Sequence, residues 1–176
     1  MTREPDRQPV LEGALVLIRP LRAEDWDALY AVASDPLIWA LHPARDRWRE
    51  PVFRRFFDEA LACGGGLAII DRASGRIIGS SRYDAHDPAK DEIEIGWTFL
   101  ARAYWGGAYN REVKRLMLDH IHRFVETVVF LVGRDNLRSR RAMEKIGGRL
   151  VEGRHHRGTG AVFPDHLVYA IRRGEA

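Results

Sequence analysis

Two adjacent glycines, Gly106 and Gly107, stand immediately before a segment with the pattern of an amphipathic helix. The first backbone N–H groups of a helix have no partners inside it, and the helix dipole favours negative charge there. Glycines let that backbone approach an anion, and Arg111 and Lys114 add positive charge in the first helical turns. The pattern indicates either an anion site or a tight turn between a strand and a helix, since short glycine motifs also occur by chance.

Two carboxylates precede the glycines on a run that alternates in polarity, EIEIGWTFL at residues 92–100. Because successive side chains of a strand point to opposite faces, we predict that one face carries Glu92, Glu94 and Thr98. The other face is predicted to carry the apolar residues Ile93, Ile95, Trp97 and Phe99. A carboxylate on a strand can accept a proton or simply face solvent, and the residues alone leave both interpretations open.

The whole chain has the composition of a soluble globular protein, with 176 residues of which 45% are hydrophobic and 30% charged. We predict one domain over residues 1–176, with residues 1–12 as a flexible or loosely packed segment. The one cysteine, Cys63, excludes an internal disulfide and fits a reducing compartment. The polar N-terminus lacks the apolar core of a signal peptide, and no apolar run approaches the ~20 residues of a membrane span. We therefore expect a cytoplasmic protein without a membrane partner.

The net charge of +3 fits either a solvated surface or a polyanionic partner, such as nucleic acid or a phosphorylated cofactor. The densest basic cluster comprises the arginines at 134, 138, 140 and 141. No aromatic residue lies between 131 and 148 to stack on bases, which disfavours nucleic acid. His155 and His156 have no cysteine or acid at ligand spacing, so we expect no metal site.

The predicted elements alternate between strands and helices. Strands are predicted at residues 14–21, 92–100 and 127–132, in a hairpin over 67–83, and in a last pair near 149–155 and 162–172. Helices are predicted at residues 23–35, 49–66 and 136–148, and directly after the glycine loop. These elements indicate a mixed α/β domain in which residues 92–132 form one βαβ unit.

The chain resembles the GNAT N-acetyltransferases in the order of its elements: a strand, the glycine loop, a helix, a buried strand and the helix NLRSRRAMEKIGG. The chain is most similar to the branch that includes ribosomal-protein N-terminal acetyltransferases, from LVLIRPLRAEDWDALY through FPDHLVYAI. The resemblance is densest in EIGWTFLARAYWGGAYNREVKRLMLDH and in NLRSRRAMEKIGG. It implies a single GNAT-like α/β domain with a central, mostly antiparallel twisted sheet, a parallel βαβ core and helices on both faces.

The resemblance also implies acetyl-coenzyme A (acetyl-CoA) as co-substrate, with its pyrophosphate on the backbone amides of residues 106–110. Its pantetheine arm is expected along the backbone of Thr98, Phe99 and Leu100. The family's loop, Gln/Arg-x-x-Gly-x-Gly/Ala, corresponds here to Trp105, Gly106, Gly107, Ala108, Tyr109 and Asn110, followed by Arg111. Ala108 and Asn110 depart from that pattern, and Asn110 is either a helix cap or a phosphate contact. Asn136 is expected to hold a pantetheine amide, to cap its own helix, or both.

Acetyl transfer to a primary amine needs a neutral nucleophile, and an amine with a pKa near ~10.4 is about 1 part in ~10³ neutral at pH 7. Family members often carry a glutamate in this strand, so Glu94 is the first candidate base and Glu92 the second. A backbone N–H where the strand diverges from its neighbour would stabilise the oxyanion. Met143 replaces the family's tyrosine acid, so Ser139 is the candidate donor to the leaving sulfur, unless it bonds its own helix backbone instead.

Trp39 and His42 lie in the loop where the resembled family often shapes its acceptor pocket, so they are candidate substrate contacts or packing residues, and Glu92 is a further candidate. The leading hypothesis is an acetyl-CoA-dependent N-acetyltransferase that acts on a small-molecule or peptide amine. A peptide N-terminus, a polyamine, an amino sugar and an antibiotic all remain open as acceptors, and a homodimer is compatible with the family. A non-catalytic CoA-binding domain is the alternative, and a basic nucleic-acid-binding module is the third hypothesis.

Overall fold

A computed structural model of the protein describes residues 4–155 and 162–175. Within them, eight strands form one sheet: β1 (Leu11–Glu12), β2 (Val16–Pro20), β3 (Gly66–Asp71), β4 (Ile77–Asp87), β5 (Glu92–Leu100), β6 (Thr127–Gly133), β7 (Arg149–Leu150) and β8 (His166–Arg172). The α-helices of these residues are α1 (Trp26–Ala33), α2 (Glu50–Ala62), α3 (Ala108–Ile121) and α4 (Leu137–Lys145). The turn predicted at residues 156–160 lies outside the described part of the chain.

The strands follow the order β1-β2-β3-β4-β5-β6-β8-β7, and every described pair is antiparallel except β5 with β6. These two pair in parallel, so the chain must cross over between them, and α3 makes that crossover. Buried residues of α3 and α4 pack in one core cluster, and those of α1 and α2 pack in another. Helices therefore cover both faces, and the predicted mixed α/β fold with a parallel βαβ core is confirmed.

Glu112, in the second turn of α3, fixes this helix to β2 and the residues before it. Its carboxylate oxygens accept the backbone N–H groups of Ala14, Leu15 and Val16 at 2.9, 2.7 and 2.8 Å. Burial raises the pKa of Glu112, but these three donors outweigh burial and leave it below its usual value. The start of α3 is thereby held against the sheet, which sets the position of the glycine loop.

Strand β5 contains a bulge that the sequence did not predict. Ser80 of β4 pairs with Phe99, but Arg82 pairs with Gly96, so β5 has one residue more than β4 in this interval. Trp97 lies inside the bulge and has a φ of 52°, in the left-handed region that non-glycine residues rarely adopt.

Because of the extra residue, the apolar side chains before and after the bulge point to opposite faces of β5. Ile93 and Ile95 belong to the core cluster beneath α3, whereas Phe99 belongs to the cluster beneath α1 and α2, and the partly buried Trp97 packs against that second cluster. The prediction that these four residues share one face was therefore wrong. The reason is that a bulge shifts the two-residue alternation by one position.

The N-terminal segment, predicted as flexible or loosely packed over residues 1–12, makes defined contacts from residue 4 onward. Arg7 Nη1 donates to Cys63 O and Gln8 Nε2 donates to Gly66 O, both at 3.1 Å. Leu11–Glu12 pairs with β2 as an edge strand. Among the described helices, none is long and apolar enough to cross a membrane.

Candidate functional site

A cleft of about 670 Å³ opens where β5 and β6 diverge. The two strands pair at Glu92↔Thr127, Ile93↔Val128 and Glu94↔Val129, and beyond them residues 95–100 and 130–133 form opposite walls. Residues from the starts of α3 and α4, and from the loop that carries Trp39 and His42, complete the lining. Because the cleft passes between two strands, groups from both faces of the sheet can reach it.

The glycine loop lies on this cleft, with Gly106, Gly107 and Asn110 in the lining. Gly106 has a φ of 74°, which favours glycine, but Gly107 has a φ of −139°, which any residue adopts. A Cβ on either glycine would meet no protein atom within 4 Å. The fold therefore does not require glycine at position 107, and the space above it is available to a ligand.

The start of α3 presents backbone donors to the cleft. Gly107 is the N-cap, and no side chain among the described residues caps this helix, so its first N–H groups lack internal partners. The sequence left two roles open for Asn110, a helix cap or a phosphate contact. In the structure Asn110 is not the cap and instead lines the cleft. An anion at this position would accept hydrogen bonds from the backbone and would be favoured by the helix dipole.

The charge of the cleft is one-sided. Among the described residues no Asp or Glu lines it, whereas five basic side chains do: Arg111, Lys114, Arg138, Arg141 and Lys145. The guanidinium of Arg138 lies 3.7 Å from the ring centroid of Trp105 and donates to Ile38 O at 3.2 Å. Burial lowers the pKa of Arg138, but an arginine stays charged at physiological pH. A polyanion entering the cleft therefore meets no opposing carboxylate.

The side chains of two residues of the predicted cofactor loop, Ala108 and Tyr109, do not reach the cleft. The Tyr109 hydroxyl donates to Asp71 Oδ1 at 3.0 Å, and the neighbouring Tyr104 hydroxyl donates to Asp71 Oδ2 at 3.3 Å. The ring of Tyr109 therefore anchors the loop to β3, and neither Ala108 nor Tyr109 is part of the cleft lining. Their contribution to ligand binding is limited to the backbone N–H groups at the start of α3.

The strand residues predicted to run beside a pantetheine arm, Thr98, Phe99 and Leu100, all line the cleft. The indole N–H of Trp105 donates to Leu100 O at 2.9 Å, so this carbonyl already has a partner. The hydroxyls of Thr98 and Ser81 lie 2.8 Å apart, and Lys114 Nζ donates to Thr98 Oγ1 at 2.6 Å. Thr98 is thus the point at which β4, β5 and α3 meet beside the bulge.

Glu94 lies immediately behind the cleft wall. It is 1% exposed and is not part of the lining, but its neighbour Gly96 is. A Cβ added to Gly96 would be 3.0 Å from Glu94 Oε1. The carboxylate of Glu94 therefore lies next to Gly96, which lines the cleft.

Glu92 is engaged in an ion pair away from the cleft. Arg154 Nη1 donates to Glu92 Oε2 at 2.8 Å and Arg154 Nη2 donates to Glu92 Oε1 at 2.5 Å. Glu92 is 4% exposed, and the bidentate pair occupies both of its oxygens. The structure therefore does not bring Glu92 together with the other predicted acceptor contacts, Trp39 and His42.

Trp39 and His42 both line the cleft, and their environment fixes their chemistry. Trp39 is 2% exposed, and its indole N–H donates to Ala33 O at 2.8 Å. The Ala44 N–H donates to His42 Nδ1 at 2.9 Å, which leaves Nε2 as the protonated nitrogen of the neutral ring. Burial and the charge of Arg47 lower the pKa of His42 to about 3. Arg47 Nη1 lies 3.5 Å from His42 Nε2, so neither ring nitrogen is free and His42 is a poor proton acceptor.

Besides its basic residues, α4 and its N-cap contribute Asn136, Ser139 and Met143 to the opposite wall. Asn136 caps α4, because its Oδ1 accepts the Ser139 N–H at 3.2 Å. Met143, which stands where the resembled family has a tyrosine, is buried in the core cluster beneath α3. The structure thus brings Asn136 and Ser139 into the same cleft as the glycine loop.

The sequence alone did not predict the burial of Lys114, which was considered only as added positive charge in the first turns of the helix. It is 3% exposed and lines the cleft on the side covered by α3, which we call the floor of the cleft. A signal was available, because Lys114 precedes Met117 and Leu118 by three and four positions and so lies on the same helix face as these apolar residues.

A family model described as the acetyltransferase (GNAT) domain matches residues 16–149. No match was found among curated proteins. Among solved structures, a GCN5-related N-acetyltransferase from Brucella melitensis has a TM-score of 0.78 and 22% identity, covering 98% of this chain and 80% of that chain.

Two further solved structures were determined with coenzyme ligands. The Microcin C7 self-immunity acetyltransferase MccE, in complex with acetyl-CoA and AMP, has a TM-score of 0.74 and 14% identity, covering 96% of this chain and 99% of that chain. Mycobacterium smegmatis RimJ, in complex with CoA-disulfide, has a TM-score of 0.69 and 19% identity, covering 97% of this chain and 90% of that chain. At these identities the likeness is one of fold.

Proposed function

The chain belongs to the GNAT acetyltransferase family, and we propose that it transfers the acetyl group of acetyl-CoA to a primary amine. The observation that carries the proposal is the uncapped start of α3 at Gly107, which faces a cleft lined by cations and, among the described residues, by no carboxylate. Acetyl-CoA combines a polyanionic end with a long uncharged arm. The donors and cations suit the first part, and the wall of β5 suits the second.

The phosphates would be held by backbone N–H groups of residues 107–110 and by Arg111, with Arg138 and Arg141 on the opposite side. Bound acetyl-CoA supplies a thioester whose carbonyl carbon can be attacked by an amine. Asn136 and Ser139 face the same space from α4, where the Asn136 amide can bond a pantetheine amide and the Ser139 hydroxyl can donate to the leaving sulfur. A thiol with a pKa near ~8.5 leaves without a strong acid, so the lack of a tyrosine at Met143 is tolerable.

Glu94 is the proposed proton acceptor, acting through a water in the space that Gly96 leaves free. The carboxylate lies next to Gly96 of the cleft lining and near the bulge of β5, and a backbone N–H where β5 diverges from β6 would stabilise the oxyanion. Glu92 is not given this role, because Arg154 occupies both of its oxygens. His42 is not given it either, because its pKa is lowered to about 3 and both ring nitrogens already have partners, Ala44 N–H and Arg47 Nη1.

The acceptor is proposed to carry a single cationic amine, and a peptide N-terminus is the first class to test because of the branch that the sequence resembles. Polyamines and aminoglycoside-like antibiotics carry several positive charges, which normally need carboxylates in the site. Neither the described lining nor the sequence of residues 156–161, HRGTGA, contains an Asp or Glu.

The proposal is tested by thiol release from acetyl-CoA in the presence of short peptides, a polyamine and an amino sugar, with acetylated product identified by mass spectrometry. We expect peptide-dependent thiol release and a peptide acetylated at its N-terminus. Coenzyme binding without transfer to any acceptor class would favour the non-catalytic alternative. Absence of coenzyme binding would overturn the proposal itself.

A further inference from the structure

Lys114 projects from α3 into the floor of the cleft and has no acidic partner there. Its Nζ donates to Thr98 Oγ1 at 2.6 Å and lies 5.5 Å from the ring centroid of Phe130. No ion pair to a carboxylate involves Lys114 among the residues that the structure describes. A lysine of this kind is unusual, because a buried ammonium normally has a counter-ion.

Burial without a counter-ion favours the neutral amine and lowers the pKa of Lys114 to about 7. The elements packed against this side chain present Thr98 from β5 and Phe130 from β6, and the nearest charged residue on α3 that also lines the cleft is Arg111. None of these groups stabilises an ammonium by an ion pair. Near neutral pH a large fraction of Lys114 is therefore an unprotonated amine, which is the nucleophilic form.

The position of Lys114 places this amine beside the proposed thioester site. Thr98, its hydrogen-bond partner, follows Trp97 at the bulge where β5 diverges from β6. Lys114 reaches the gap from the face covered by α3, whereas Glu94 alternates with Ile93 and Ile95 and so points to the opposite face. An acceptor amine beside Glu94 and the Lys114 amine would therefore approach a bound thioester from opposite sides.

The composition of the chain makes this lysine stand out further. Of its 28 Lys and Arg residues, three are lysines: Lys90, Lys114 and Lys145. Arginine keeps its proton in proteins and is not an amine nucleophile. Lys90 lies in the turn between β4 and β5 and pairs with Asp87 at 3.1 Å, and Lys145 lines the cleft at the end of α4. The lysine in the floor of the cleft is thus the buried one of the three.

We propose that Lys114 is a self-acetylation site, modified by bound acetyl-CoA when no acceptor amine is present. This inference rests on the proposed coenzyme site. The Nζ lone pair forms a bond to the thioester carbonyl carbon, the carbon–sulfur bond breaks, and its electron pair leaves with the sulfur. One proton passes from Nζ through water to the thiolate, so that the products are the free thiol of coenzyme A and N-acetyl-Lys114.

The test is peptide mass mapping of the wild-type protein before and after incubation with acetyl-CoA alone near pH 7. Because the neutral fraction of Lys114 near pH 7 exceeds that of an ordinary lysine by roughly 10³-fold, we expect acetylation of Lys114 to exceed that of Lys90 and Lys145 by up to a similar factor. In urea-unfolded protein the three lysines should be labelled to similar extents. A Lys114→Arg variant should lose the selective label.

Equal labelling of the three lysines in the native protein would overturn the inference, as would an unmodified Lys114. Calorimetry on the same preparation separates this failure from that of the proposed function. Acetyl-CoA binding with an unmodified Lys114 overturns self-acetylation and leaves the coenzyme site in place. Absence of acetyl-CoA binding overturns both.

Discussion

Glu94 and Gly96 point to the same face of β5, and a Cβ on Gly96 would come within 3.0 Å of Glu94 Oε1. Gly96 lines the cleft, so this buried carboxylate lies directly beside a residue of the cleft wall. A strand carboxylate in this position can take a proton from the cleft without itself lining it.

Replacing Glu94 with glutamine keeps the shape of the side chain but removes its ability to accept a proton. We expect Glu94→Gln to lower turnover by roughly 10²–10⁴, with coenzyme affinity nearly unchanged because the phosphates lie at the far end of the cleft. The loss should shrink as pH rises, because more of the acceptor amine is then already neutral. Wild-type turnover from about pH 6 to about pH 9 would contradict the assignment.

Two variants serve as controls for Glu94. Gly96→Ala keeps the carboxylate but places a methyl group against it, so it should also lower turnover while preserving coenzyme binding. Glu92→Gln breaks the buried pair with Arg154 and should lower the free energy of unfolding by about 3 kcal/mol, measured by urea denaturation. A proton-transfer defect in Glu92→Gln larger than that of Glu94→Gln would reverse the two roles.

The two glycines of the loop should respond differently to the same change. Gly107→Val should weaken acetyl-CoA binding with little loss of stability, because residue 107 has an ordinary φ and its Cβ meets no protein atom within 4 Å. Gly106→Val should also destabilise the fold, because its φ of 74° is strained for a β-branched residue. Calorimetry and thermal unfolding of both variants would check this, and unchanged binding by Gly107→Val would remove the ligand as the reason for that glycine.

Lys114 should give the stability of the protein a distinct pH dependence. Its pKa is about 7 in the folded protein and near ~10.4 in the unfolded chain, so between these values the unfolded chain binds a proton that the folded one does not. Stability from this group therefore rises with pH over that interval.

Lys114→Met lacks this titration and avoids the buried ammonium. We expect the variant to be more stable than the wild type at pH 7, and its advantage to shrink by about 2 kcal/mol on going to about pH 9. Urea denaturation of both proteins at the two pH values measures this. An advantage that does not change with pH would show that Lys114 keeps its ordinary pKa when folded.

The elements of this fold could be predicted from local patterns, but several features of the site could not. The strand at Glu92–Leu100 follows directly from its alternation. Its bulge does not, because the φ of 52° at Trp97 is imposed by the pairing with β4 and a tryptophan gives no sign of it. The partner of Glu92 is Arg154, 62 residues away, so no spacing rule could have found the pair.

The side chains of the loop and helix illustrate the same limit. Tyr109 was expected at the cofactor, but Asp71 on β3 binds its hydroxyl instead. Lys114 was expected to add charge near the start of α3, but the position of this helix buries it against Thr98 and Phe130. Local sequence determines which residues can form a helix or strand, whereas contacts between distant segments determine what each side chain touches.

The central claim is that the cleft holds acetyl-CoA with its phosphates on the glycine loop and the start of α3. Calorimetric titration of the wild-type protein with acetyl-CoA and with acetyl-pantetheine, which lacks the pyrophosphate, tests it most directly. Acetyl-CoA should bind more tightly, and the difference should diminish in Gly107→Val and at high salt. Equal affinities for the two ligands would contradict the claim.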